Sequence, residues 1–316
     1  MNKDNLLNVV IPCYNEEATL EITAFKLLDK INVLVSNNVV SDKSKIVFVD
    51  DGSKDKTWDI ICKLHKDNPI FIGLKLSRNK GHQNALLAGL MYAKEHSDFS
   101  ISMDADLQDD INVMDEMIQH YYSGSEIVYG VRNSRKKDAF FKRFTAEGFY
   151  KFMSLMGVEI VFNHADYRLM SKKALEGLES YHEVNLFLRG IVPQIGYKSS
   201  MVYYERDERV AGESKYPLKK MLSFAMDGIT SFSVRPLKVI SNLGLLLSFL
   251  SIVFFVYAVV MKLLGNTVEG WTFIVCSIWL VAGIQTLCLG VVGEYIGKIY
   301  SEVKARPRYI IEDIIE

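Results

Sequence analysis

The chain has 316 residues, 37 Lys and Arg against 38 Asp and Glu, and a formal net charge of −1. Charge this close to neutral excludes a general nucleic-acid binder, which needs a basic surface. With 49% hydrophobic residues, the length suits one soluble domain of roughly 220–230 residues plus a membrane module.

From the N-terminus, apolar β-rich runs alternate with amphipathic segments of helix length. Strands are expected at Asn8–Cys13, Lys45–Asp50, Ile70–Leu76, Phe99–Asp104 and Glu126–Val131. Helices are expected near Glu17–Val35, Lys56–Lys66, Gly81–Glu95 and Asn112–Tyr122. Alternation of this kind predicts a mainly parallel sheet with helices on both faces. Ligands of such sheets bind at the C-terminal ends of the strands. Polar clusters fall there: Pro12-Cys13-Tyr14-Asn15-Glu16, Asp50-Asp51-Gly52-Ser53 and Asp104-Ala105-Asp106-Leu107-Gln108.

Asp104 and Asp106 end an apolar strand, where the chain turns and two carboxylates can converge on one ion. Hard oxygen donors suit Mg²⁺ or Mn²⁺ bridging to a substrate diphosphate, and Gln108 adds a neutral oxygen. Asp50 and Asp51 present a carboxylate to a base or ribose, or belong to a tight strand-to-helix connection capped by Ser53 or Asp55. Gly81 opens a helix and lets backbone approach a ligand. His82, like the other histidines, is expected to be a surface or structural residue. Asp166, in Asn163-His164-Ala165-Asp166-Tyr167-Arg168, is read as a catalytic carboxylate or as a salt-bridged partner of Arg168.

Beyond Arg132, residues 138–156 read as a basic and aromatic amphipathic helix, and 217–232 as a second one. Arg206, Arg209 and Lys215 form a cation cluster suited to a lipid phosphate. Two runs follow, 239–261 and 271–293, without Asp, Glu, Lys or Arg. Each is about 34 Å long as a helix, enough to cross a hydrocarbon core of ~30 Å. Cations flank the pair on its outer sides: Lys219, Lys220, Arg235 and Lys238 before it, Lys298, Lys304, Arg306 and Arg308 after it. The linking segment Gly265–Gly270 has none. The positive-inside rule therefore puts both termini in the cytoplasm. No N-terminal stretch reads as a signal peptide. The four cysteines, Cys13, Cys62, Cys276 and Cys288, show no metal spacing and fit reduced thiols. The expected division is a cytoplasmic domain over 1–216, a juxtamembrane segment over 217–238, a hairpin over 239–293 and a cytoplasmic tail over 294–316.

The ordered set VVIPCYNEE, FVDDGSKDKT, LSRNKGHQNALLAG, MDADLQDD, ADYRLMS and ERVAGESKY, with the two-helix module and GEYIGKIYSEVKARPRY, resembles the polyprenyl-phosphate sugar transferases of glycosyltransferase family 2. That resemblance covers essentially the whole chain and implies an α/β GT-A, Rossmann-like domain followed by a transmembrane hairpin. It implies a multi-pass plasma-membrane enzyme that uses a nucleotide sugar and undecaprenyl phosphate, with Mg²⁺ or Mn²⁺. UDP-glucose is the first choice of donor, UDP-N-acetylglucosamine the second and GDP-mannose a third. By resemblance, Pro12, Tyr14, Asn15, Glu16, Asp50, Asp51, Gly81, Asp104, Ala105 and Asp106 fall in the nucleotide-sugar pocket. Asp104, Asp106 and Gln108 match the metal site, and Asp166 with Asp106 the catalytic carboxylates. Arg132, Arg143, Arg206, Arg209 and Lys215 match acceptor-phosphate contacts. The family also implies a homo-oligomer (a tetramer), a flippase and a downstream glycosyltransferase. Asp109-Asp110 departs from the family, where a residue followed by proline is common after the glutamine. A processive polysaccharide synthase would carry a QxxRW-type motif and more spans, and a non-catalytic scaffold would not keep three polar clusters at strand ends.

Overall fold

The computed structural model describes residues 5–132, 164–205, 233–264 and 270–316. The basic, aromatic segment over 138–156, the segment over 217–232, and Arg143, Arg206, Arg209 and Lys215 lie outside these described residues.

The alternating elements appear close to their expected bounds. They are β1 (Leu7–Cys13), α1 (Leu20–Ser36), β2 (Lys45–Asp50), α2 (Thr57–Asp67), β3 (Phe71–Leu76), α3 (His82–His96), β4 (Phe99–Ser102), α4 (Val113–Tyr122) and β5 (Ile127–Arg132). Then come β6 (His164–Ser171), α5 (Lys172–Glu179), α6 (Leu188–Gln194) and β7 (Ser199–Tyr204). The chain ends with α7 (Arg235–Leu263), α8 (Trp271–Lys304) and β8 (Ile311–Ile315). The strands form one sheet in the order β7-β5-β6-β4-β1-β2-β3-β8. Its centre, β4-β1-β2-β3, is parallel, while β6 runs antiparallel to β4 and β5, and β8 antiparallel to β3. The sheet is thus mixed: β5 and β7 at one edge also pair parallel, and only β6 and β8 run against the other strands.

Strand alternation divides the core. Val9 and Ile11 of β1 join Ala24, Leu27 and Ile31 of α1, Ile61 of α2 and Met114 and Met117 of α4 in one buried cluster. Val10, between them in sequence, points to the opposite face. There α3 lies so close that a Cβ on Gly89 would be 2.4 Å from Val10 Cγ1 and 2.7 Å from Val49 Cγ2. This contact explains a glycine inside a helix, where it otherwise costs stability. With helices on both faces, the central strands are buried almost throughout and mostly apolar, and β1 is buried at every position.

The described residues divide between two compact units. The first carries the sheet and includes Arg306–Glu316; the second carries α7 and α8. Both helices are long and apolar enough to cross a membrane. Apolar side chains along them are exposed, among them Leu245, Phe249, Leu280, Leu287 and Leu289. The expected tail over 294–316 is a different object. Its first part continues α8 to Lys304, and Ile311–Ile315 forms the edge strand β8. Tyr92 Oη donates to Glu316 Oε2 at 2.7 Å, and Arg308 Nη1 to the Tyr181 carbonyl at 2.9 Å, so the segment is held on the sheet domain.

Candidate active site

The site lies where β1, β2 and β4 end. The turn after β1 is locked to the turn after β2: the Asn15 N–H donates to Ser53 Oγ at 3.0 Å, and the Lys54 N–H to Asn15 Oδ1 at 2.9 Å. Asn15 adopts a left-handed φ of 54° to do this. The Glu16 N–H donates to Thr57 Oγ1 at 2.9 Å, and Thr19 Oγ1 to Glu16 Oε2 at 2.9 Å. Pro12 is buried in β1, paired in register with Val49, and Tyr14 is 40% exposed beside the turn. Gly52 has φ +65°, and a Cβ there would lie 2.6 Å from the Arg78 carbonyl carbon. Only glycine lets the turn after β2 approach the loop after β3 this closely.

The adjacent carboxylates Asp50 and Asp51 have different surroundings. Asp51 Oδ1 accepts from the Lys80 N–H at 2.6 Å and Oδ2 from the Gly81 N–H at 2.9 Å, which pins the loop opening α3. Asp51 and Asn15, expected in the nucleotide pocket, are therefore loop-setting residues first. Asp50 is fully buried. Its Oδ1 accepts from the Ser53 N–H at 3.1 Å, while Oδ2 has no partner among the described residues. Burial pushes its carboxyl above the usual range. An orphaned buried acceptor at a strand end fits a ligand N–H or O–H.

The acidic turn after β4 is strained: Leu107, a branched residue, adopts φ 54°. The carbonyl of Ala105 accepts from Thr23 Oγ1 at 2.8 Å, and Asp106 Oδ1 from the Gln108 N–H at 3.2 Å. Asp104 is pushed up to about 6, first by burial, then by Asp166, Asp109 and Asp106, against the pull of His82. Among the described residues no three His, Cys, Asp or Glu side chains converge into a protein cage. Mg²⁺-type ions bound to diphosphates take only one or two carboxylates, with phosphates and water completing the shell. A surplus of clustered, hard, negatively charged oxygens on Asp104 and Asp106 fits that mode, and Gln108 is buried beside them.

Asp166 reaches this turn because β6 inserts antiparallel to β4, pairing Arg168 with Ser102, whose Oγ donates to the Asp166 carbonyl at 2.6 Å. The Asp166 carboxylate is 9% exposed and clamped by two arginines. Arg168 Nη2 lies 2.6 Å from Oδ1, and Arg189 contacts Oδ2 through Nη2 at 3.0 Å and Oδ1 through Nε at 3.3 Å. Burial alone would raise this carboxyl, but Arg189, His82 and Arg168 outweigh it and hold it well below the usual range. Of the two readings of Asp166 from the sequence, the ion pair with Arg168 is present, and the carboxylate also lies close to the acidic turn.

His82, not singled out from the sequence as a site residue, is a surface residue as expected, its side chain 43% exposed, but it also reaches the acidic turn. Its Nε2 sits 3.5 Å from Asp104 Oδ1 and 3.6 Å from Asp166 Oδ2, between the two carboxylates. Desolvation by the surrounding protein disfavours its charge despite that exposure, but those carboxylates dominate and raise its pKa. Arg189 was not singled out from the sequence either. No local motif marks it; α6 is tied down by the Leu188 N–H donating to Gln83 Oε1 at 2.9 Å, which carries Arg189 to Asp166. Arg132 ends β5 and donates to Asp109 through Nη2 at 3.0 Å.

Carboxylates, a histidine and arginines are thus gathered at the strand ends of this α/β sheet. Residues 8–178 match the family described as Glycosyl transferase family 2. The chain belongs to glycosyltransferase family 2; it is a transferase, and its sheet domain is a GT-A fold. It is 54% identical over 97% of its length, and 91% of the relative's, to an uncharacterized glycosyltransferase, YkoT, of Bacillus subtilis (strain 168). It is 39% identical, over 97% of each chain, to the SfII prophage-derived bactoprenol glucosyl transferase of Shigella flexneri. Among solved structures, mannosyl-3-phosphoglycerate synthase from Rubrobacter xylanophilus aligns over 71% of both chains with TM-score 0.46 and 14% identity.

Proposed function

We propose that this protein transfers a hexose, glucose or N-acetylglucosamine, from a nucleoside-diphosphate sugar to undecaprenyl phosphate at the cytoplasmic face of a membrane. The observation that carries the reading is the meeting of Asp104 with Asp166, His82 and Arg189 at the β4 end. The full-length likeness to a protein named a bactoprenol glucosyl transferase and the two exposed apolar helices support the acceptor and the bilayer.

Asp50 and the Pro12–Glu16 turn would hold the nucleoside, with the orphaned Asp50 oxygen accepting from it. Asp104, Asp106 and Gln108 would hold Mg²⁺ or Mn²⁺, which when bound neutralises charge on the departing diphosphate. His82 and Arg189 add positive charge to the same region. A phosphate monoester has a second pKa of about 6 and is largely dianionic at neutral pH, so it attacks the anomeric carbon without a strong base. Asp166, kept ionised by two arginines, is a poor proton acceptor. It stabilises positive charge that develops on the sugar and holds Arg189 in place. Attack opposite the leaving group inverts the anomeric centre. Arg132 contacts the acceptor phosphate, with Arg143, Arg206, Arg209 and Lys215, all outside the described residues, completing that end.

The test is to incubate membranes containing the protein with undecaprenyl phosphate and a panel of radiolabelled nucleotide sugars. A labelled lipid formed from UDP-glucose or UDP-N-acetylglucosamine is expected. Label in a long polymer, or none in any lipid, would reject the reading.

A further inference from the structure

Asp109 directly follows the acidic turn, yet it is 3% exposed. Its Oδ1 accepts from Tyr204 Oη at 2.5 Å and from Arg132 through Nη2 at 3.0 Å and Nε at 3.3 Å. Its Oδ2 is buried with no partner among the described residues. Arg132 Nε also lies 3.3 Å from Tyr204 Oη. Three separate segments meet here: the loop after β4 and the ends of β5 and β7. The last two are parallel neighbours in which Arg132 and Tyr204 share a register position.

The surroundings are rigid. The Tyr204 ring packs edge-on against Tyr167, with centroids 5.6 Å apart at 84°, and Tyr167 Oη donates to the Asp110 carbonyl at 3.1 Å. The loop carrying Asp104 to Gln108 is thus fastened to β6 and β7 at both Asp109 and Asp110. A buried carboxylate that leaves one oxygen unmatched is a poor stabilising device, because an unsatisfied buried acceptor keeps its full desolvation cost. The arrangement does have a consequence for Arg132. Its Nε and Nη2 edge is held inward, none of its hydrogen bonds among the described residues uses Nη1, and the side chain remains 27% exposed.

We infer that Asp109 and Tyr204 are positioning residues: they grip the inner edge of the Arg132 guanidinium so that Nη1 is presented to the acceptor phosphate. They also bind that arginine to the loop that carries the donor-side carboxylates. This inference rests on the proposed role of Arg132. A guanidinium presents five donors in a fixed plane, so holding one edge sets the direction of the other. Acceptor and donor ends of the site are then joined by one residue, Asp109, rather than placed independently.

Steady-state kinetics on the full-length protein in membranes tests this, with undecaprenyl phosphate and the nucleotide sugar varied in turn. The variants are Tyr204→Phe, Asp109→Asn, Arg132→Ala and the double Tyr204→Phe/Arg132→Ala. Tyr204→Phe keeps the ring packing and removes one hydrogen bond to a charged group, so a roughly three- to tenfold rise in KM for undecaprenyl phosphate is expected, with KM for the donor unchanged. In the Arg132→Ala background the same change should add nothing. An additive double variant, or donor and acceptor KM rising together, overturns the inference. If Arg132→Ala raises acceptor KM while Tyr204→Phe and Asp109→Asn are silent, positioning fails alone. If Arg132→Ala itself leaves acceptor KM untouched, the reading of Arg132 fails with it. Should Asp109→Asn not fold, Tyr204→Phe decides the matter.

Discussion

Replacing Asp166 with Asn keeps the side-chain shape, removes the charge and turns one acceptor oxygen into an N–H donor. The carboxylate holds Arg168, whose side chain is 1% exposed, at 2.6 Å and Arg189, 31% exposed, at 3.0 Å. Arg189 can regain water when its partner is neutralised; Arg168 cannot. Removing one partner of a buried pair costs about 3–5 kcal/mol, and the exposure of Arg189 places the expected loss near the low end, about 3 kcal/mol. At about 2–4 °C per kcal/mol for a domain of this size, Tm should fall by roughly 6–12 °C. Turnover should fall as well, with both substrates still bound in the protein that remains folded. The measurements are thermal unfolding of the detergent-purified protein and kinetics well below the lowered Tm. If Asp166→Asn shifted Tm by less than about 2 °C, the carboxylate would not be what compensates Arg168, and the electrostatic account of the site would be wrong.

Asp104→Asn or Asp106→Asn should nearly abolish transfer without unfolding the protein, and excess EDTA should silence the native enzyme; full activity in EDTA would refute a metal role. Because Asp104 is pushed up to about 6, it is neutral below that pH and ionised above it. Metal affinity, measured by calorimetry, should therefore weaken about tenfold per pH unit as pH falls below about 6, and a flat profile between pH 5 and 7 would contradict the assignment. Gly89→Ala forces a methyl group against Val10 and Val49 and should cost about 1–3 kcal/mol by overpacking, seen as a lower Tm with unchanged KM. Cysteine introduced at Asn266, which lies outside the described residues, should label only from outside the cell; labelling from the cytoplasmic side would reverse the proposed topology.

What the sequence determined by itself were the features written at short range. Strand and helix periodicities placed every element from β1 to β5 within a few residues, because a buried parallel strand is mostly apolar along its length and a packed helix is apolar on one side. The two apolar helices were legible for the same reason: their length and lack of charge are local properties. The acidic turn was legible because Asp104 and Asp106 end an apolar strand. The tertiary structure decided which polar groups meet. Asp166 comes to Asp104 only because β6 enters the sheet antiparallel to β4, and nothing between residues 133 and 163 announces that insertion. Arg189 and His82 join them from two other segments, so no spacing in the chain relates the four. Asp50 and Asp51 are indistinguishable as neighbours in sequence, and only burial against different backbones makes one a loop anchor and leaves the other with an unmatched oxygen. The final strand, IEDII, is too short and too charged to be read as a sheet element, and it becomes one because the open edge of β3 supplies the hydrogen-bond partners it lacks alone.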